Sequence, residues 1–263
     1  AEDCSILVWE RAVTKEIDRL LSFPDVAAAK AEVDTRVARA LTEIDTAPLV
    51  EENYHIQKMM PDMNAKLEPE SDARPAFELT FPEAEAAFLR QQYTAGRTIL
   101  EYGSGGSTVL AARAGCTVIS VESDRAWAGR LAGHLATISD KARVHHADIG
   151  PTGDWGVPRR VNEFGKFHSY ALSVWDRPDF QEPDLVLIDG RFRASCLVAV
   201  LLRARRPTTV LFDDYLRRRY YHGVEALAQK EEMIGRMARF TVTPGPIPPA
   251  MMTRAIGWFT DQR

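Results

Sequence analysis

The chain has 263 residues, and 33 lysines and arginines against 37 aspartates and glutamates give it a net charge of −4. Apolar residues make up 45% and charged residues 27%, as is typical of globular proteins. The charge gives no reason to bind nucleic acid or an anionic membrane. The longest apolar run, from Cys196 to Leu202, is far shorter than the ~20 residues of a membrane span. The three cysteines are too widely spaced for a disulfide framework or a zinc site, and no stretch resembles a signal peptide. We therefore expect a cytoplasmic protein that binds neither nucleic acid nor membrane.

The first 75 residues differ in pattern from the rest. Apolar residues recur at helical spacing from Trp9 to Leu21 and from Val26 to Ile44, with Pro24 between the two runs. Residues 51–75 are polar and rich in turn formers, which predicts a loop or lid. We expect residues 1–75 to form a helical extension whose helices offer a surface for homo-oligomerisation. The main domain is then expected at 76–263.

From Phe77 onward, strand and helix patterns alternate. Thr80 to Glu83 predicts a capping box ahead of a helix that reaches about Tyr93. Further helices are predicted at 107–114, through Trp127, Leu131, Leu135 and Ile138, and at 161–175, 191–206 and 220–230. The predicted strands are 98–103, 117–122, 142–148, 184–189, 209–213, 237–243 and 254–260. This order predicts an α/β fold with a Rossmann-like doubly wound sheet of seven strands. The last strand should be antiparallel, because no helix separates it from the strand before.

A glycine-rich turn follows the first predicted strand. Residues 101–108 read E-Y-G-S-G-G-S-T and lead directly into a helix. Glycines let the backbone turn sharply and approach a ligand, and a helix start offers free N–H groups. Doubly wound sheets bind ligands in this crevice. The dinucleotide fingerprint G-x-G-x-x-G would require glycine where this chain has Thr108. The glycines can also serve only the geometry of the turn between strand and helix. Further residues are therefore needed to distinguish a ligand site from a structural turn.

The next two strands also end in acids. Glu122 ends the second strand and can accept both hydroxyls of a ribose. An alternative is that Ser123 or Asp124 simply caps the following helix. The third strand ends in Asp148, followed by Ile149; the acid could receive an exocyclic amine and the apolar side chain one face of an adenine. Together these strand ends favour a nucleotide site.

The glycine turn, Glu122, the Asp148-Ile149 pair and Asp189 after the fourth strand resemble the class I S-adenosylmethionine-dependent methyltransferases over roughly residues 76–260. The resemblance implies that Glu101 holds the methionine amino group and that Gly103 and Gly105 pass under the cofactor. It further implies that Glu122 takes the ribose hydroxyls and Asp148 the adenine amine. Ser107 stands where family members usually carry a third glycine. The expected cofactor site comprises Glu101, Tyr102, Gly103, Ser104, Gly105, Ser107, Glu122, Ser123, Asp148, Ile149 and Asp189.

Three aspartates should meet at the carboxyl edge of the sheet. Asp189 ends the fourth strand, and Asp213 and Asp214 end the fifth. Such carboxylates are stable together if they are protonated, paired with arginine, or bound to a hard cation such as Mg²⁺. The arrangement most resembles the metal-dependent O-methyltransferases, in which a cation lowers the pKa of a substrate hydroxyl. That resemblance makes all three aspartates candidate metal ligands. Without a cation, Arg191 or Arg193 could hold Asp189, which then becomes a candidate general base.

The resemblance implies methyl transfer from S-adenosylmethionine to the hydroxyl of a small molecule, with Asp189 as the catalytic residue. Three alternatives stay open: an N-methyltransferase, an NAD-dependent oxidoreductase using the same cleft, and a non-catalytic nucleotide-binding regulatory module. Two further hypotheses concern the loops. Trp155 could lie near the adenine, and the arginines at 217–219 could face an acidic substrate.

Overall fold

The computed structural model describes residues 77–262, which belong to a compact unit spanning residues 74–263. The predictions for residues 1–75 lie outside the described residues. No helix in the described part of the chain is long and apolar enough to cross a bilayer.

The described residues alternate between strands and helices, and the labels used below count only these elements. The strands are β1 Thr98–Tyr102, β2 Thr117–Glu122, β3 Ala142–His146, β4 Leu185–Ile188, β5 Thr208–Phe212, β6 Gln229–Ile234 and β7 Met237–Val242. The α-helices are α1 Glu83–Gln92, α2 Gly106–Arg113, α3 Arg125–Ala136, α4 Phe164–Leu172, α5 Arg193–Arg203 and α6 Met252–Trp258. Short 3₁₀ segments lie at Asp154–Gly156, Val161–Glu163, Ser173–Asp176, Arg219–Ala226 and Pro249–Met251.

One seven-stranded sheet runs through the domain in the order β3-β2-β1-β4-β5-β7-β6. The first five strands are parallel, and β7 is antiparallel to both β5 and β6. Tyr102 at the end of β1 lies beside Val121 and Ile188, so the turns after β1, β2 and β4 emerge together. The predicted fold class is confirmed, including the antiparallel strand at the end of the chain order.

Alternate residues of the central strands supply two apolar layers, because successive side chains point to opposite faces. On one face Ile99 and Leu187 pack with helices α1, α2 and α3. On the other face Leu100 and Ile188 pack with α4, α5 and α6. Helix α5 is buried from its first residue through Leu201. The sheet is therefore covered on both sides, and its carboxyl edge is left for a site.

Two predictions near the C-terminus were wrong. The predicted strand at 254–260 is instead part of α6, in which Ala255 and Trp258 are buried while Ile256 is 58% exposed. That spacing of three fits one helical face. The seventh strand is β6, most of which lies between the predicted helix at 220–230 and the predicted strand at 237–243. It lies at the sheet edge with almost all residues exposed, so its sequence lacks the apolar alternation of a half-buried strand.

Smaller differences concern helix ends. The predicted capping box was wrong, because Pro82 is the N-cap of α1 and no side chain caps it. Glu83 forms an exposed ion pair with Arg90 at 3.1 Å instead of reaching back to the cap. The predicted helix at 161–175 is the shorter α4 with a 3₁₀ turn at each end, and the one at 220–230 is a 3₁₀ segment.

Candidate active site

The three glycines of the turn after β1 have different surroundings. Gly103 has φ +99°, and a Cβ there would lie 2.8 Å from the backbone nitrogen of Gly190. A Cβ on Gly106 would run into the backbone of Glu78. At Gly105, by contrast, the nearest atom to a Cβ would be a ring carbon of Trp127 at 3.9 Å. Two of these glycines are thus required for packing, whereas the backbone is open to an approaching ligand at Gly105.

Glu101 is fully buried behind this turn and is held by hydroxyl groups. Tyr93 donates to its Oε1 at 2.6 Å, and Thr108 and Ser107 donate to its Oε2 at 2.6 and 3.2 Å. Burial raises the pKa of Glu101 to about 7, although the three hydroxyl groups oppose that rise. Ser107 stands where methyltransferases usually have a third glycine, and Thr108 stands where the dinucleotide fingerprint has its last glycine. In this chain both positions therefore supply a hydroxyl donor to Glu101. The predicted contact with a methionine amino group stays a prediction.

Glu122 joins the end of β2 to the glycine turn. Its Oε1 accepts the backbone N–H groups of Ser123 and Asp124 at 2.7 and 2.8 Å, and its Oε2 accepts the Ser104 hydroxyl at 2.8 Å. Burial raises the pKa of Glu122 above its ordinary value. Asp124 caps α3 by accepting the backbone N–H of Trp127 at 2.8 Å. Asp124, and not Glu122, therefore caps α3, and we place Glu122 at the rim of the crevice after β1 and β2.

The predicted adenine-side residues do not all face the crevice. Asp148 is exposed, and the backbone N–H of Gly150 donates to it at 3.0 Å, which lowers its pKa. Ile149 is fully buried in the core. Trp155 is 89% exposed, on a loop held by a hydrogen bond from the Ser123 hydroxyl to the carbonyl of Gly156 at 3.1 Å.

Tyr102 was also predicted at the cofactor site, but its side chain lies in the core. Its hydroxyl donates to the carbonyl of Ala171 at 2.7 Å and accepts from the Trp175 indole at 2.7 Å. The predicted cofactor contacts of Tyr102 and Ile149 stay predictions. Both side chains are buried in the apolar layer that also contains residues of α4, so their side chains are not exposed in the crevice.

The three aspartates after β4 and β5 come together as expected, around Arg193. This arginine is the first residue of α5 and is almost completely buried. Its guanidinium donates to three backbone carbonyls, those of Asp189 at 2.8 Å, Gly190 at 2.9 Å and Asp213 at 2.7 Å. It also lies 3.1 Å from Asp189 Oδ1. Arg193 thus fixes the backbone of both turns as well as one carboxylate.

Asp213 and Asp214 are paired with further arginines. Arg236 binds the fully buried Asp213 through two hydrogen bonds of 2.9 and 3.1 Å. Asp214 has φ +57° and pairs with Arg218 at 2.6 Å and Arg236 at 3.2 Å. Within residues 77–262, no group of three or more histidines, cysteines or acids has the geometry of a metal site. The donor set does not fit a Mg²⁺ ion, because guanidinium groups already neutralise the carboxylates.

Asp189 differs from the other two aspartates because its side chain is 36% exposed, against 0% for Asp213 and 20% for Asp214. Burial raises its pKa to about 7, Arg193 opposes that rise, and Asp213 and Asp214 add to it. A carboxyl group with a pKa near 7 can take up a proton at neutral pH. Among the three acids, Asp189 is the one that is suited to general-base chemistry.

A cavity of about 650 Å³ opens beside this edge, which is large enough for a small molecule. One wall is Arg191, two residues after Asp189, and the opposite walls come from the loop after β3 and the end of the chain. The lining residues are Val157, Arg191, Gly257, Thr260, Asp261 and Gln262. The resulting site has an open glycine backbone, a rim acid, a candidate base and an adjoining cavity.

Comparison with solved structures gives the class of the protein. A methyltransferase-like protein from Silicibacter pomeroyi DSS-3 shares 47% sequence identity with the chain, over 70% of this chain and 98% of that one, with a TM-score of 0.67. The fold is that of a methyltransferase-like protein. The chain belongs to the methyltransferase-like family of the Silicibacter protein.

More distant structures share the fold less closely. A methyltransferase from Geobacter sulfurreducens is 13% identical, over 80% of this chain and 97% of that one, with a TM-score of 0.40. An S-adenosylmethionine-dependent O-methyltransferase from Thermotoga maritima is 11% identical, over 65% and 68%, also with a TM-score of 0.40. Scores this low do not bear on the substrate. The sequence matches no protein-family model and no curated protein.

Proposed function

We propose that the protein transfers a methyl group from S-adenosylmethionine to the hydroxyl of a small molecule, with Asp189 as the general base. The observation that carries this proposal is the contrast among the three aspartates at the cleft. Asp213 and Asp214 are neutralised by arginines, whereas Asp189 is accessible and has a pKa raised to about 7. An acceptor hydroxyl that reaches Asp189 can therefore lose its proton to a carboxylate at neutral pH.

The residues of the crevice fit the cofactor. The open backbone at Gly105 and the rim acids Glu122 and Asp148 would hold it. When bound, S-adenosylmethionine would supply a methyl group on a positively charged sulfur: an O–C bond to the acceptor forms, the methyl–sulfur bond breaks, and the sulfur leaves as the neutral thioether of S-adenosylhomocysteine. Thr108 argues against a nicotinamide cofactor, because a threonine stands where the dinucleotide fingerprint has its last glycine, and its hydroxyl donates to Glu101.

The residues around Asp189 prepare it for proton transfer. Arg193 fixes Oδ1 of Asp189 at 3.1 Å, so the carboxylate has a defined orientation toward the cleft. In the reaction the acceptor O–H bond breaks, its proton moves to the Asp189 carboxylate, and the oxygen becomes the nucleophile. The remaining contribution is positioning, because a displacement in line needs a short and aligned approach. No step requires a metal ion from this donor set.

The test is methyl transfer from labelled S-adenosylmethionine to a panel of hydroxylated small molecules, before and after EDTA treatment. We expect activity that EDTA and Mg²⁺ leave unchanged. Asp189→Asn should lower kcat by about 10²-fold or more, because the amide cannot accept the proton. Its affinity for S-adenosylhomocysteine is measured alongside, because Asp189 is also a predicted cofactor residue and a loss of cofactor binding has to be separated from the loss of kcat.

The pH profile sharpens this test. Since Asp189 acts in its ionised form and has a pKa raised to about 7, kcat should rise with pH through that region and then level off. The control is Asp140→Asn, which changes an exposed acid ahead of β3 and should leave the profile as in wild type. Activity that is lost on chelation and returns only with Mg²⁺ would contradict the proposal, as would an Asp189→Asn enzyme of normal kcat.

A further inference from the structure

Arg191 differs from the neighbouring arginines, because no hydrogen bond or ion pair from within residues 77–262 holds its guanidinium group. Its Nε is buried, and no group in that described range accepts a hydrogen bond from it. Within residues 77–262, no carboxylate forms an ion pair with its guanidinium, although Arg193, two residues later, has several. The backbone of Arg191 is fixed, since its N–H donates to the Tyr170 hydroxyl at 3.3 Å. The side chain lines the cavity of about 650 Å³.

The ion pairs at this edge involve other arginines, and one acid, Asp261, lines the cavity together with Arg191. Arg193, Arg218 and Arg236 face the three aspartates at 3.1, 2.6 and 2.9 Å. These three positive and three negative charges balance one another. A partly buried guanidinium without a partner carries a desolvation cost. An anion bound in the cavity would offset that cost, because a guanidinium binds carboxylate or phosphate through charge-assisted hydrogen bonds.

We infer that Arg191 binds an anionic group of the methyl acceptor, so that the acceptor is a hydroxylated small molecule bearing a carboxylate or phosphate. This inference rests on the proposed function and names its substrate class. Arg191 and Asp189 are separated by one residue, Gly190, and both belong to the same turn after β4. One molecule could therefore place its anion on Arg191 and its hydroxyl near the base. Val157 and Gly257 provide apolar surface for the body of that molecule.

The test measures binding and does not need turnover. Protein loaded with S-adenosylhomocysteine is titrated calorimetrically with matched charged and neutral probes, 4-hydroxybenzoate against 4-hydroxybenzamide and glycerol 3-phosphate against glycerol. We expect the charged member of at least one pair to bind ~10-fold or more tightly, in line with charge-assisted hydrogen bonds. Arg191→Met should remove that preference and leave the affinity for S-adenosylhomocysteine within about twofold. Arg205→Met, at an exposed position beyond the far end of α5, is the control and should keep the preference.

The outcomes separate the possible sources of the anion. If Arg191→Met weakens S-adenosylhomocysteine and leaves the probe preference intact, Arg191 serves the carboxylate of the cofactor and the inference is wrong. Equal binding of charged and neutral probes, or no binding of any of the four, would also overturn it. Charge-selective binding that depends on Arg191, found without any methyl transfer, would support the inference while the proposed function fails.

Discussion

The two halves of the carboxyl edge hold their buried acids in opposite ways. At the glycine turn, Glu101 is held by three neutral hydroxyl groups. After β5, Asp213 is held by the guanidinium of Arg236. Among residues 77–262, the groups that shift the pKa of Glu101 include no positive charge, so a positively charged sulfonium meets no repulsion from them. In the arginine-held half each aspartate has a guanidinium partner, and Asp189 is the one whose side chain stays accessible.

The largest effect is expected from removing Arg193, which tests whether arginines organise the acids after β4 and β5. Arg193→Met eliminates three hydrogen bonds to carbonyls and leaves buried acids less well paired. We expect the free energy of unfolding to fall by about 3–5 kcal/mol, as when one partner of a buried pair is deleted. Urea denaturation at pH 7 measures it. The matched control is Arg206→Met, which removes an exposed pair with Asp184 and should cost less than about 1 kcal/mol. Equal losses in the two variants would mean that Arg193 does not organise the site.

The hydroxyl-held half predicts a pH effect instead. The pKa of Glu101 is about 7 in the fold against an ordinary 4.5. The folded state therefore binds more protons between these values, and stability falls as pH rises through that window. The shift corresponds to about 3 kcal/mol between pH 4.5 and 7.

In Glu101→Gln the side chain cannot ionise, so the fall in unfolding free energy with rising pH should be absent or smaller. The measurement is the unfolding free energy at pH 5 and pH 8, compared between variant and wild type, so that the contribution of Asp189 cancels. Glu83→Gln, at an exposed position on α1, should retain the slope of the wild type. An undiminished slope in Glu101→Gln would show that Glu101 titrates normally.

The smallest effects come from the glycines and separate packing from binding. Gly103→Ala meets the backbone of Gly190 and has to keep φ +99°, so we expect a loss of about 2–3 kcal/mol in stability. Gly105→Ala brings its methyl group to 3.9 Å from a ring carbon of Trp127, an ordinary contact, and should change stability by less than about 0.5 kcal/mol. It should nevertheless weaken S-adenosylhomocysteine binding ~10-fold, because the methyl group blocks the open backbone. Unchanged affinity in calorimetry would move the cofactor away from Gly105.

Much of the fold could be predicted because buried strands have distinct patterns. Strand β2 has the predicted bounds of 117–122, and β4 lies within a short run of apolar residues. Strand β6 could not be predicted in this way, since its residues are polar and exposed, and its pairing depends on β7. The residues of α6 include β-branched and aromatic types, and only packing of Ala255 and Trp258 against the core selects the helix.

The site divides in the same manner. Convergence of Asp189, Asp213 and Asp214 follows from parallel strands whose carboxyl ends share an edge. Arg236 could not be identified, because it reaches Asp213 from the turn between β6 and β7, and β6 was not predicted. The hydrogen bonds to Glu101 can be related to the sequence, because Ser107 and Thr108 replace the glycines of the methyltransferase turn and the dinucleotide fingerprint. Interpreting that sign requires knowing that the acid is buried.

The contact between Gly103 and Gly190 has a consequence for how this protein can evolve. A side chain at 190 would collide with the Tyr170 hydroxyl as well as with the backbone of Gly103. The Tyr170 hydroxyl in turn accepts the backbone N–H of Arg191, so loss of this hydroxyl would loosen the turn after β4, which carries Arg191. A single exchange of either glycine lowers stability, as expected for Gly103→Ala, so a lineage that changes one gains from altering its neighbours first. The order of substitutions at this corner, and not only their identity, is therefore constrained.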